Sequence, residues 1–205
     1  MKKVFLSLFF SAWAAPAFAA VGCDLNDPDR DVERLFPSST GYKVRYLTVK
    51  AAGGEALLAR IEKRLGDRFK GLYETIDVPY TVYDIYRGTE PLGHIHGVNQ
   101  KGQFGGIQVF LALDKSGTIR SFYIQKLTSR AAKDLRSKEF GAQFEGLALP
   151  DFSGYDPVRA SAKPGTPAAS LKAPERAAAD FPNVMRAVKK NLILMDELVF
   201  TEKKK

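Results

Sequence analysis

Gly102–Leu127 reads GQFGGIQVFLALDKSGTIRSFYIQKL, and the fold of the chain turns on it. Ile107–Leu113 and Thr118–Leu127 are rich in β-branched and aromatic residues and flank Asp114-Lys115-Ser116-Gly117. Two such runs around a short polar turn ending in glycine predict a β-hairpin. Gly105-Gly106 sits just before the first strand. Glycines there serve either a tight turn into a core hairpin or the close approach of a flat or phosphorylated ligand.

Working outward, Tyr80–Arg87 and Leu92–Val98 read as two more strands joined at Gly88-Thr89-Glu90, and Tyr42–Lys50 as a first strand broken by Gly53-Gly54. Asp24–Asp31 is a polar spacer, and Val32, Leu35 and Phe36 predict a short helix ending at Pro37. Glu55–Phe69 places Leu57, Leu58, Ile61, Leu65 and Phe69 at helical spacing. Ser129–Phe144 reads as a charged helix with Leu135, Phe140 and Phe144 inward, stopped at Gly146. Residues 150–174, rich in Pro and Ala, form a loop. In Pro182–Phe200, Val184, Val188, Leu192, Met195 and Val199 make one apolar stripe for a helix that packs back on the sheet. The fold class is α+β: an antiparallel sheet of about four or five strands packed with helices.

The length of 205 residues suits a leader plus a single domain, assigned to residues 24–205. Lys2-Lys3, the apolar run Val4–Ala15 and the small residues of Pro16-Ala17-Phe18-Ala19 have the pattern of a secretory signal peptide, residues 1–19. The protein is therefore expected in the periplasm. Ala20-Val21-Gly22-Cys23 also partly matches a lipobox, which makes Cys23 a lipidation candidate and a lipid anchor facing the periplasm the alternative. Cys23 is the only cysteine, so no internal disulfide can form. Losing Lys2 and Lys3 lowers the formal charge from +8 to about +6, and Lys203-Lys204-Lys205 account for half of that. The folded body is too weakly basic for nucleic acid to be its partner.

Chemical motifs are few. His94 and His96 stand two apart on a strand, pointing to one face, where they serve either as ordinary strand residues or as two ligands of a metal lacking a third. No Cys-x-x-Cys-His, Gly-x-Ser-x-Gly or P-loop run occurs. No nucleophile–base pair is evident, so a free-standing enzyme is not expected.

Gln103-Phe104-Gly105-Gly106-Ile107, the strand after it, Asp114 to Gly117 and the second strand resemble the Gly-Tyr-Gly-Gly stretch and hairpin of the FMN-binding domain family. That family includes flavin-bearing periplasmic subunits of sodium- or proton-coupled oxidoreductase complexes. Ile61-Glu62-Lys63-Arg64, Gln143-Phe144-Glu145-Gly146 and Arg186-Ala187-Val188 match its lesser features. The resemblance implies an FMN-binding-domain-like fold, an FMN cofactor, the role of an electron carrier or accessory protein in an electron-transfer system, and a redox protein or membrane complex as partner. It breaks at two places. The family threonine that takes FMN through its phosphate, in a Ser-Gly-Ala-Thr motif, corresponds here to Ala178 in Glu175-Arg176-Ala177-Ala178. The family segment after the hairpin appears as Gln125-Lys126-Leu127-Thr128-Ser129-Arg130. An alanine has no hydroxyl to form a phosphoester, so any FMN is expected to be held noncovalently. The expected site comprises Phe104, Gly105 and Gly106 at the ring, with Tyr123 as another stacking candidate, and Lys126, Thr128, Ser129 and Arg130 at the phosphate. The alternative is a flavin-free binding or assembly protein that keeps the fold and docks on a membrane or redox partner.

Overall fold

The structure, a computed structural model, describes residues 22–201. The leader 1–19 and the terminal lysines lie outside the described residues. In chain order the main elements begin with α1 (Pro28–Leu35), β1 (Gly41–Leu47) and α2 (Val49–Leu65). β2 (Tyr80–Arg87), β3 (Glu90–Lys101), β4 (Gly106–Asp114) and β5 (Ile119–Leu127) follow. Then come α3 (Ala132–Leu135), α4 (Lys138–Ala142), the short pair β6 (Tyr155–Asp156) and β7 (Ser161–Ala162), α5 (Pro167–Ser170) and α6 (Phe181–Met195). A π turn, Asp196–Phe200, extends α6.

β1 to β5 form one antiparallel sheet in sequence order, so every connection joins neighbours. The deciding hairpin is β4–β5, with Leu111 opposite Phe122. Asp114 closes its turn: Oδ1 accepts from the Ser116 and Thr118 N–H groups at 2.8 and 3.0 Å. The period-two alternation divides each central strand between two cores. On one face Tyr80, Val82, Val98, Val109, Leu111 and Leu113 pack with α2, α4 and α6. On the other, Tyr83, Ile85, Ile95, Phe110 and Ala112 pack beneath α1 with Cys23, Leu25 and Phe36.

The helices depart from the sequence expectations, each for a local reason. α1 starts inside the expected spacer because Asp27 accepts the Arg30 N–H and Pro28 occupies the first turn, where a missing N–H costs nothing. β1 ends at Leu47, since Thr48 turns to cap α2 by accepting the Ala51 N–H. Its alternation buries little: as an edge strand it leaves Tyr46 exposed at 68%. Gly53-Gly54 kinks α2 rather than breaking the strand, with Gly54 at φ +59°, and α2 stops at Leu65, so Phe69 lies beyond it. Residues 129–144 form two short helices instead of one, because Ser137 caps a second start at the Phe140 N–H. The buried residues there, Leu135, Phe140 and Phe144, are the expected ones. The 150–174 stretch is not structureless: it holds the β6–β7 pair and α5.

α6 differs most. The stripe read from sequence is buried, but so are Met185, Arg186, Lys189, Lys190 and Asn191 on its other sides. A helix buried all round that carries three cations must find acceptors for them inside the protein.

Candidate functional site

Arg186 and Lys190 stand one turn apart on α6 and reach the loop between α2 and β2. Arg186 Nε donates to Asp67 Oδ2 at 2.8 Å. Its Nη1 donates to Glu74 Oε1 and Gln100 Oε1 at 2.6 and 2.7 Å, and its Nη2 to Glu74 Oε2 and the Arg68 carbonyl, both at 3.1 Å. Every guanidinium donor is thereby used. Lys190 Nζ donates to the same Glu74 carboxylate and to the Asn99 carbonyl. Glu74 also accepts the Lys70 N–H at 3.0 Å. Two cations thus face Glu74 and Asp67, and the charges cancel inside the protein. Burial alone would raise the Glu74 carboxyl, but the Arg186 hydrogen bonds and the two positive charges outweigh it and hold it well below the usual carboxylate range. Burial pushes the Lys190 ammonium down, and Glu74 offsets part of that.

Above this cluster lies a cleft of about 600 Å³. Lys70, Leu72, Tyr73 and Glu74 make one wall, Gln100, Lys101, Gly105 and Gly106 the other, with the buried Arg186 at its base. Both glycines make close approaches. A Cβ on Gly106 would stand 3.1 Å from Tyr73 Oη, and one on Gly105 would stand 3.3 Å from Thr128 Oγ1. Leu72 and Phe104 are large apolar side chains left exposed, at 68% and 58%.

Of the residues expected at the site, Gly105 and Gly106 line this cleft. Thr128 abuts Gly105, while Lys126, Thr128 and Arg130 are exposed at and just beyond the end of β5. Ser129 turns its Oγ to accept the Ala131 N–H at 3.1 Å. Tyr123 points to the other face of the sheet, where the Arg34 guanidinium lies 3.9 Å over its ring. The 70–74 wall and the Glu74–Arg186–Lys190 cluster escaped the sequence reading. Arg186, Lys189 and Lys190 interleaved with an apolar stripe were the signal for them, since such cations need buried partners. Ala178 lies exposed between the 3-10 turn Glu175–Ala177 and α6. Asp180 Oδ1 accepts the Gln103 N–H at 3.1 Å, which ties the start of α6 to the loop that carries Phe104.

The two histidines face α6 and are held separately. His94 Nδ1 pairs with Asp84 Oδ1 at 2.6 Å, and Asp84 also accepts from Arg45 Nε at 2.6 Å. Burial works to raise the Asp84 carboxyl, but the bonds from His94 and Arg45 bring it down to about 2. His96 Nδ1 pairs with Asn191 Oδ1 at 2.9 Å, and Asn191 Nδ2 donates to the His96 carbonyl. That fixes Oδ1 as the acceptor and the His96 proton on Nδ1. His96 Nε2 is buried without a partner, and burial brings the ring down to about 4. Among the described residues no three His, Cys, Asp or Glu side chains gather as a metal site.

The architecture is that of an α+β protein with a five-stranded antiparallel meander and the final helix packed across it. The same fold occurs in the crystal structure of NqrC from Shewanella oneidensis. The two superpose with a TM-score of 0.58 over 86% of this chain and 88% of that one, at 14% identity. The likeness is one of fold. No family model and no curated protein matches the chain.

Proposed function

We propose that the protein is an exported, FMN-binding-domain-like component of an electron-transfer system that holds FMN noncovalently in the Gly105–Gly106 cleft. The cleft carries this reading. Its volume, about 600 Å³, lies within the range of small-molecule sites. Leu72 and Tyr73 give the cleft an apolar and an aromatic wall, and Gly106 stands so close to Tyr73 that a Cβ there would crowd the tyrosine. Lys70 and Lys101 in the walls offer charge to a phosphate. Lys126, Thr128, Ser129 and Arg130, behind Gly105, offer a second set of cations and hydroxyls. The residues present therefore fit the cofactor. Bound FMN would supply one- and two-electron transfer, while this chain binds and orients it. The sequence resemblance and the NqrC-like fold support the reading.

Titration of FMN with the protein, followed by flavin fluorescence, tests it. Saturable quenching that Gly106→Val abolishes is expected. Equal quenching by Gly106→Val and the native protein would remove FMN from this cleft.

Export after Ala19 goes with this reading. Cys23 is 3% exposed in the core under α1, and burial pushes its thiol well above the ordinary range, so a thioether-linked lipid would have to displace packed side chains. A free periplasmic protein is therefore favoured over a lipid-anchored one.

A second reading, a flavin-free docking or assembly protein, draws on two observations. Ala178 lacks the hydroxyl, and the charges under the cleft already balance without a ligand.

A further inference from the structure

The sheet ends in two edge strands, β1 and β5, and β5 is covered. Arg136 donates to the Ile124 and Gln125 carbonyls, Gly146 and Leu147 bond Ile119, and Gly141 packs against the Phe122 carbonyl. β1 is different. The Gly102 N–H donates to the Gly105 carbonyl at 2.7 Å, which in the β3–β4 register makes His96 and Leu111 a hydrogen-bonded pair. Carried through the β2–β3 and β1–β2 registers, that alternation aims the main-chain groups of Lys43 and Arg45 at β2. The N–H and C=O groups of Tyr42, Val44 and Tyr46 therefore point away from the sheet. Among the described residues no hydrogen bond engages them, and a Cβ on Gly41, at the start of the strand, would meet nothing within 4 Å.

The two faces of β1 differ in chemistry. Tyr42, Val44 and Tyr46 share the α1 face, where Val44 and Tyr46 stay exposed at 40% and 68%. Lys43 and Arg45 share the opposite face. Arg45 forks onto Asp84 at 2.6 and 3.0 Å, while Lys43 is exposed and makes no ion pair among the described residues. A second copy of β1, paired about Val44, would use every outward group. It would also set Lys43 opposite Arg45 of that copy, and like charges directly opposite destabilise a strand pair. Charge therefore selects a strand with acids at those places.

We infer that β1 docks an extended segment of a partner protein in which apolar and acidic residues alternate, added antiparallel to the five strands as one more. Side chains alternate along a strand, so its apolar residues would lie beside Val44 and Tyr46 and its carboxylates beside Lys43 and Arg45. Main-chain hydrogen bonds to Tyr42, Val44 and Tyr46 supply affinity, and the alternation supplies selectivity. No residue of β1 lines the Gly105–Gly106 cleft, so docking here and flavin binding there stand or fall separately.

The probe is a fluorescein-labelled peptide, Ser-Val-Glu-Val-Glu-Val-Ser, read by anisotropy with the mature protein at low salt. It is expected to bind, and its counterpart with lysines for the glutamates is not. N-methylation of the valines removes the donors that face β1 and should abolish binding. N-methylation of the glutamates, whose N–H groups face away, should spare it. Lys43→Glu, a change at an exposed side chain, should weaken binding about tenfold or more. Hydrogen exchange needs no variant. The amides of Tyr42, Val44 and Tyr46 should exchange fast in the free protein and slowly with the probe bound, while those of Lys43 and Arg45 stay slow throughout. A glutamate probe that does not bind, or binds without slowing those three amides, would overturn the proposal. So would unchanged binding by a folded Lys43→Glu variant or by the valine-methylated peptide. Self-association in sedimentation that slows the same amides would also overturn it, by making a second copy the occupant.

Discussion

Arg186 places two carboxylates of one loop, Asp67 and Glu74, against a buried helix. Arg186→Ala would leave Glu74 with Lys190 alone and Asp67 without its buried partner. Stripping one member from such a cluster costs about 3–5 kcal/mol, and urea denaturation should show it. Arg186→Lys keeps the charge but not the forked geometry and should recover part of the loss. His96 makes a pH prediction. Its folded value of about 4 lies below the ordinary 6.5, so between those values the unfolded chain binds a proton that the native chain does not. The stability that His96 contributes is complete above about pH 6.5 and is lost as pH falls toward 4. Urea midpoints at pH 7.5 and 5.0 should differ for the native protein and draw together in His96→Gln. An unchanged pH slope in that variant would place the loss elsewhere. At this scale the sequence was least legible. Arg186 and Lys190 could be read as cations on a helix, but their anions lie more than a hundred residues away, at Asp67 and Glu74.

Among the elements, the sheet was legible because period-two alternation and turn chemistry are local. Asp114 to Gly117 carried the hairpin, and Gly88 to Glu90 the turn before it. The helices were less so. The periodicity of residues 129–144 did not register that Ser137 restarts the helix with its own cap. The apolar stripe of α6 gave its packing face but hid that its polar flanks are buried too. The join of β3 and β4 is tight where Gly97 faces Phe110, because a Cβ on Gly97 would overlap the Phe110 ring. Gly97→Ala should therefore destabilise by about 1–3 kcal/mol through overpacking, read as a lower thermal midpoint. Gly41→Ala, with nothing within 4 Å of the added carbon, should stay close to the native midpoint.

For the whole molecule, the α+β class and the NqrC-like architecture were within reach of sequence, whereas the full outline of the cleft was not. Gly105 and Gly106 marked one wall, but the 70–74 wall comes from a loop without periodicity, held by contacts only the folded chain makes. Burial of Cys23 predicts that the intact mature protein does not react with a thiol reagent until it is unfolded, and that its mass corresponds to an unlipidated chain starting at Ala20. Rapid labelling under native conditions would contradict the packing under α1. The central claim, noncovalent FMN in the Gly105–Gly106 cleft, is tested most directly by the visible absorption spectrum of the mature protein after incubation with FMN and gel filtration. The account predicts a flavin spectrum that travels with the protein, is released on denaturation and is lost in Gly106→Val. A colourless protein from that column would contradict it.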